Sequence, residues 1–146
     1  MSWTAFESSA AENELSLPTE PPIISKDDFA DEDLNPFATQ YVKNGYSSIE
    51  LLTNTTLKVS GNTSAYTSVD TIRVTLYLQQ WNPSKKQWVD VLTVGPATNY
   101  RSNSISYSKQ VNVISGYSYR IRAHHDIIHN GITERLTSVS NQISAD

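Results

Sequence analysis

The chain of 146 residues contains no cysteine, so neither a disulfide scaffold nor a thiolate metal site is open to it. No apolar run approaches the roughly eighteen residues of a membrane-spanning helix, which excludes a helical membrane span. Met1-Ser2-Trp3 lacks the basic start and the apolar stretch of a secretory signal. Nucleic-acid-binding motifs, nucleophile elbows and Gly-rich phosphate loops are also missing, as is a helix-borne Glu between His residues. The second half is poor in Lys, Glu and Ala and crowded with Ser, Thr, Asn and Tyr. That mix disfavours helices and suits strands and turns.

Charge divides the chain in two. Residues 1–34 hold nine acids and one base, Lys26, for a net −8; the rest holds six acids and ten bases, for +4. Pro18, Pro21 and Pro22 interrupt the acidic part, and its apolar residues keep no period. Such a segment buries too little to offset its ordering entropy, and the expectation over residues 1–45 is a mostly disordered leader. Asp27 and Asp28 would suit the N-terminus of a short helix over residues 29–34. The opposed charges also raise a docking role, in which the leader screens the basic domain until a partner displaces it. Exposed pairs are worth little and are screened beyond about 8 Å, so that attraction is weak.

Short alternating segments separated by Gly, Asn, Pro and Ser follow from Tyr46. They cover residues 48–54, 56–63, 70–81, 88–94, 104–113, 117–127 and 132–143. The clearest sets Ile72, Val74, Leu76 and Leu78 against Arg73, Thr75, Tyr77 and Gln79. Seven short strands at this spacing predict an all-β, seven-stranded antiparallel sandwich of immunoglobulin or fibronectin type over residues 46–146. The expected core includes Leu57, Val59, Ile72, Val74, Leu76, Leu78, Val111, Val113, Tyr119, Ile121 and Val139. Asn130-Gly131 is a strong two-residue hairpin signal. It would set Asp126 opposite Arg135 and Ile121 opposite Ser140, turning Val139 outward. A one-residue slip flips every side chain, so a bulge or longer loop is expected between Ala123 and Val139.

The stretch from Val113 through Gly116 and Tyr119 to Ala123 resembles the turn and sixth strand of fibronectin type III domains. The resemblance implies a tyrosine corner, with the Tyr119 hydroxyl bonded to upstream backbone. The blocks Val69–Asn82, Gln87–Val91 and Gly116–His124 resemble a family of uncharacterised small proteins exported by Gram-positive, spore-forming bacteria. That resemblance implies a β-sandwich and export, and it assigns no activity. The expectation is a secreted or cell-surface protein whose signal peptide is not part of this sequence.

Candidate sites are few. His124, Asp126 and His129 are the only cluster with metal-capable side chains, and a metal-assisted hydrolase built on them is the alternative function. On a strand, His125 and His129, at i and i+4 on one face, stand about 13 Å apart, too far to share an ion, and His124 with Asp126 on the other face is closer but offers only two ligands. A polar rim between the last two strands accounts for the cluster without a ligand. Trp81 and Trp88 flank a turn carrying Lys85 and Lys86. They form either an aromatic platform for a sugar or peptide or a clamp on the turn, and the clamp needs no ligand. Arg73, Arg120 and Arg122, with Lys58 or Lys109, form a basic stripe suited to an acidic polymer such as wall teichoic acid, or a solvated sheet face with cross-strand partners. Asp70 and Asp90 sit beside strands without a visible cleft. The reading is therefore an exported, non-enzymatic binding or structural module without a cofactor. Its expected partner is a cell-wall polymer, a glycan or a protein, with Trp81, Trp88, Lys85, Lys86, Arg120 and Arg122 as the binding residues.

Overall fold

A computed structural model describes residues 23–25 and 40–146. Apart from residues 23–25 and 40–45, the leader read as disordered lies outside the described residues, as does the helix over residues 29–34. Among the described residues there are seven strands: β1 (Ile23–Ser25), β2 (Val42–Thr53), β3 (Thr56–Asn82), β4 (Gln87–Asn112), β5 (Tyr117–His129), β6 (Ile132–Val139) and β7 (Ile143–Ala145). All pairings are antiparallel, in the order β1-β6-β5-β3-β2, with β4 also on β3 and β7 on β5.

Two strands are unusually long. The first half of β3 pairs with β2 and the second half of β4, while its second half pairs with β5 and the first half of β4. The β3–β4 ladder shifts between Ser64 and Val69, and there the sheet folds over on itself. Thr63 Oγ1 in the first half donates to the Arg73 carbonyl in the second at 3.1 Å. The result is two layers of one curled sheet around a single core.

Six strands therefore occupy residues 46–144 where seven were expected. Gly61-Asn62 reads as a strand end but is interior to β3, paired on both sides. Gly61 is there for proximity: a Cβ would lie 2.6 Å from Leu76 Cδ2, where the two halves of β3 cross. The β4 segments likewise join into one strand, through Gly95 and Pro96. Strand residues also lie ahead of residue 46: β2 starts at Val42, and β1, Ile23–Ser25, pairs with Thr137–Val139 of β6.

The alternation in β3 produces the core. Leu57, Val59, Ile72, Val74, Leu76 and Leu78 are buried and meet Val111, Tyr119, Ile121, Ala123 and Ile127. Each such aliphatic side chain contributes about 1.5–3 kcal/mol by leaving water. Val113 is only partly buried against this cluster. Val139 is buried but stands outside it.

The last hairpin corrects the expected irregularity. Its ladder runs unbroken from His129↔Ile132 to Arg122↔Val139, with Asp126 opposite Arg135. No bulge is needed, because the inward face of β6 is largely polar. Glu134, Ser138 and Ser140 are buried there beside Leu136. The chain breaks only after Val139, before β7.

Tyr119 makes the expected corner. Its hydroxyl donates to the Ile114 carbonyl at 2.8 Å and accepts from Ile114 N–H at 3.2 Å and from Gln80 Nε2 at 3.1 Å. Burial pushes the phenol above its ordinary pKa. Tyr117 is the surface ring of the pair. Tyr119→Phe removes all three bonds and leaves Ile114 short of partners, so it should lower stability by about 1–2 kcal/mol. An unchanged denaturant midpoint would show that the corner hydroxyl contributes nothing.

Candidate functional site

The tryptophan pair forms across the β3–β4 turn, as its register dictates. Trp81 and Trp88 are direct partners, with ring centroids 5.3 Å apart at 63°. The turn is closed by Asn82, whose Oδ1 accepts from Ser84 N–H and Lys85 N–H at 3.0 and 3.1 Å. Lys85 and Lys86 are exposed beyond it. The rings do not offer an open platform. The Arg120 guanidinium lies 4.5 Å above Trp88, and its Nε donates to Gln79 Oε1 at 2.8 Å. The aromatic pair and the cation over it each add about 0.5–1 kcal/mol to the sheet without a ligand.

The basic stripe is also committed internally. Arg122 sits 4.7 Å above Tyr77, meets Asp90 Oδ2 at 3.3 Å and bonds His124 Nε2 at 2.9 Å. Gln79 Nε2 donates to Asp90 Oδ1 at 2.8 Å, which closes a row from Trp88 to His124. Arg73 faces Asp126 at 3.4 Å. Lys58 and Lys109 belong to the other layer and do not extend this row.

The three metal candidates do not converge. β5 continues through all of them, so they are not on a loop rim. His124 turns to Arg122 and Tyr77. Asp126 is buried and held by Arg135, at 2.7 and 3.3 Å. His129 lies at the hairpin end, where its Nδ1 accepts from Asp70 N–H at 3.1 Å. Among the described residues no group of three metal-capable side chains comes together. Asp70 also accepts from Asn130 N–H, so Asp70 and Asp90 serve separate parts of the sheet.

The most unusual polar group is His125, which is fully buried. Its Nδ1 lies 2.9 Å from Thr63 Oγ1 and its Nε2 2.8 Å from Ser138 Oγ, which reaches Ser47 Oγ at 2.9 Å. These four side chains tie β2, β3, β5 and β6 together through the core. Burial lowers the His125 pKa to about 4 against a small upward pull from Asp126. Gly45 is fitted to the ring: a Cβ there would stand 2.4 Å from its carbons. Nearby, Glu134 Oε1 accepts from Val42 N–H at 2.9 Å and Tyr41 N–H at 3.2 Å, anchoring the start of β2. Both groups lie inside the protein and are structural.

An open site lies on the other side of the first layer. On the outer face of β2, β3 and β4 the register aligns Tyr46, Asn62 and Ser106 in one row and Ser48, Ser60 and Ser108 in the next. These six line a shallow groove of about 260 Å³. Ser47, Gly61 and Tyr107 also border it, but the Ser47 and Tyr107 side chains take the opposite face and Gly61 has none, so they contribute backbone. Tyr46 is 52% exposed, and Ser60 and Ser108 share a 2.8 Å hydrogen bond. None of the nine lining residues is charged. The groove was missed as a site in the sequence. Its trace was the serines and asparagine on even positions of 60–64 and 104–108, alternating with Gly61, Thr63, Ile105 and Tyr107.

Residues 24–143 match the model of a family of unknown function (DUF6147). No curated protein matches the chain.

Proposed function

The chain belongs to this family of unknown function, and from its groove we propose that it is an exported, non-enzymatic binding module for neutral glycans, associated with a cell wall. The single observation behind this reading is the uncharged hydroxyl-and-amide lining beside an exposed tyrosine ring. Ser and Asn offer donors and acceptors that adapt to the hydroxyls of a sugar, while a tyrosine adds rigid contact area at low entropic cost. A polyanion would need cations at the site, and none of the residues that line the groove is charged. The volume falls below the roughly 300–1,000 Å³ of sites that enclose a small molecule. The groove thus suits a short stretch of a longer polymer.

The test is binding of the full chain to purified wall glycan, soluble neutral oligosaccharides and a teichoic-acid-like polyanion at low and high salt. Glycan binding should be saturable and indifferent to salt, because no ion pair forms. Tyr46→Ala should weaken it about tenfold, the equivalent of one ring contact of about 1.4 kcal/mol. Binding that keeps its strength in both Tyr46→Ala and Asn62→Ala, or that occurs only with the polyanion, would refute the groove as the site.

A further inference from the structure

The two halves of β4 differ in a way that the core does not require. Among the described residues β4 pairs only with β3, so one edge of its 26 residues is open. An open edge presents a row of backbone donors and acceptors and invites another strand, and proteins block such edges with proline, bulges and twist. The first half of β4 is blocked in this manner. Its ladder shifts at two places opposite Val74–Gln79, Pro96 follows Gly95, and Arg101 has a φ of 49°. The second half is not blocked. From Ser104 to Asn112 the ladder with β3 is regular, with no proline, glycine or bulge.

We propose that Ser104–Asn112 is a self-association edge, on which a second copy of this chain pairs antiparallel about a twofold axis at Ser108. The side chains of this stretch are complementary to themselves in that register. Ile105 of one copy falls opposite Val111 of the other, Ser106 opposite Gln110, and Tyr107 opposite Lys109. Ile105 and Val111 thus meet on the inward face, where both are already buried, with Tyr107 against Lys109 between them on that face, while the polar Ser106, Ser108 and Gln110 meet outside. Such cross-strand pairs are the unit that stabilises a sheet. Lys109 is the only charge in the stretch, and a tyrosine faces it, so no like charges oppose each other. Pairing at a twofold axis is isologous and closes at two copies, which avoids a fibre. The other edge of this layer, β2, suits the role less well. Its ladder shifts near both ends, and Gly45 lies within it.

The dimer stands on the edge alone. Its consequence rests on the glycan reading: two grooves would lie side by side on one continuous six-stranded face. A polymer spanning both would gain avidity from a high effective concentration at the second groove.

The absence of native cysteine makes a direct test available. The full chain is weighed by light scattering and sedimentation across a concentration series, where the mass should rise toward twice 16.3 kDa. Ser108→Cys places one thiol on the axis and should form a disulfide-linked dimer under mild oxidation. Its rate should exceed that of Ser84→Cys, in the exposed turn, by roughly tenfold or more, since pairing holds the thiols together. The double variant Ser106→Glu, Gln110→Glu sets acids opposite acids and should remain monomeric. A wild-type chain that stays monomeric throughout would overturn the proposal. So would a dimer that survives the double variant, or one that cross-links no faster through Ser108→Cys than through Ser84→Cys. Failure of glycan binding would leave these readings unchanged, so the two proposals fail separately.

Discussion

Acidification is expected to remove about 3 kcal/mol of folding stability through His125 alone. The ring is neutral in the fold, with its pKa lowered from 6.5 to about 4 by burial, against Asp126 and alongside His124. The unfolded chain takes up a proton at its ordinary pKa, while the folded chain resists until about 4. The contribution is therefore fully present above pH 6.5, declines as the pH falls, and is gone near 4. Each unit is worth about 1.4 kcal/mol, which sets the total. The comparison is between wild type and His125→Gln, whose denaturant midpoints are followed from neutral to acid pH. The variant is expected to be less stable at neutral pH, because the bonds to Thr63 and Ser138 do not both survive. The gap should close as the pH approaches 4. A constant gap would mean that the buried ring does not titrate with the fold.

Glu134→Leu is expected to cost about 2–5 kcal/mol and to loosen the start of β2. One carboxyl oxygen serves two backbone N–H groups, those of Tyr41 and Val42. A leucine would fill much of the space and leave both donors without a partner. An orphaned buried donor costs about 1–3 kcal/mol. Glu134→Gln retains an acceptor and should lose clearly less. Hydrogen exchange at Val42 gives the local reading: it should speed up in the leucine variant far more than exchange in the middle of β5. Equal losses in the two variants would mean that side-chain shape, and not the acceptor, holds the strand.

Much of the fold was legible because strand alternation and turn chemistry are local. The residues from Ile72 to Leu78 alternate cleanly and form the centre of β3. Asn130-Gly131 made the two-residue hairpin that it signals, with both residues at positive φ. The expected bulge was an error of inference: it assumed that the inward face of β6 must be apolar. Ser138 and Glu134 occupy that face because His125 and the backbone of Tyr41 and Val42, distant in sequence, supply their partners. Likewise Gly61 carries the local mark of a turn, and only the crossing of Leu76 behind it explains why it stays in a strand.

The candidate sites divide along the same line. Trp81 and Trp88 were paired by the length of their turn, a local quantity, whereas the cation that covers Trp88 comes from Arg120 on a strand 32 residues later in the chain. The His residues of β5 form a cluster in the sequence only because they are near neighbours along the chain. Strand geometry separates them, and each finds its own partner. The groove arose the other way. Its serines, asparagine and tyrosine are scattered over three strands, and register alone brings them side by side. By itself, then, the sequence determined the all-β class, the alternating core and the turns, since each depends on neighbours a few residues away. The tertiary structure alone decided which polar residues are buried with partners and which line an open face, because a hydrogen bond or a groove depends on strands far apart in the chain.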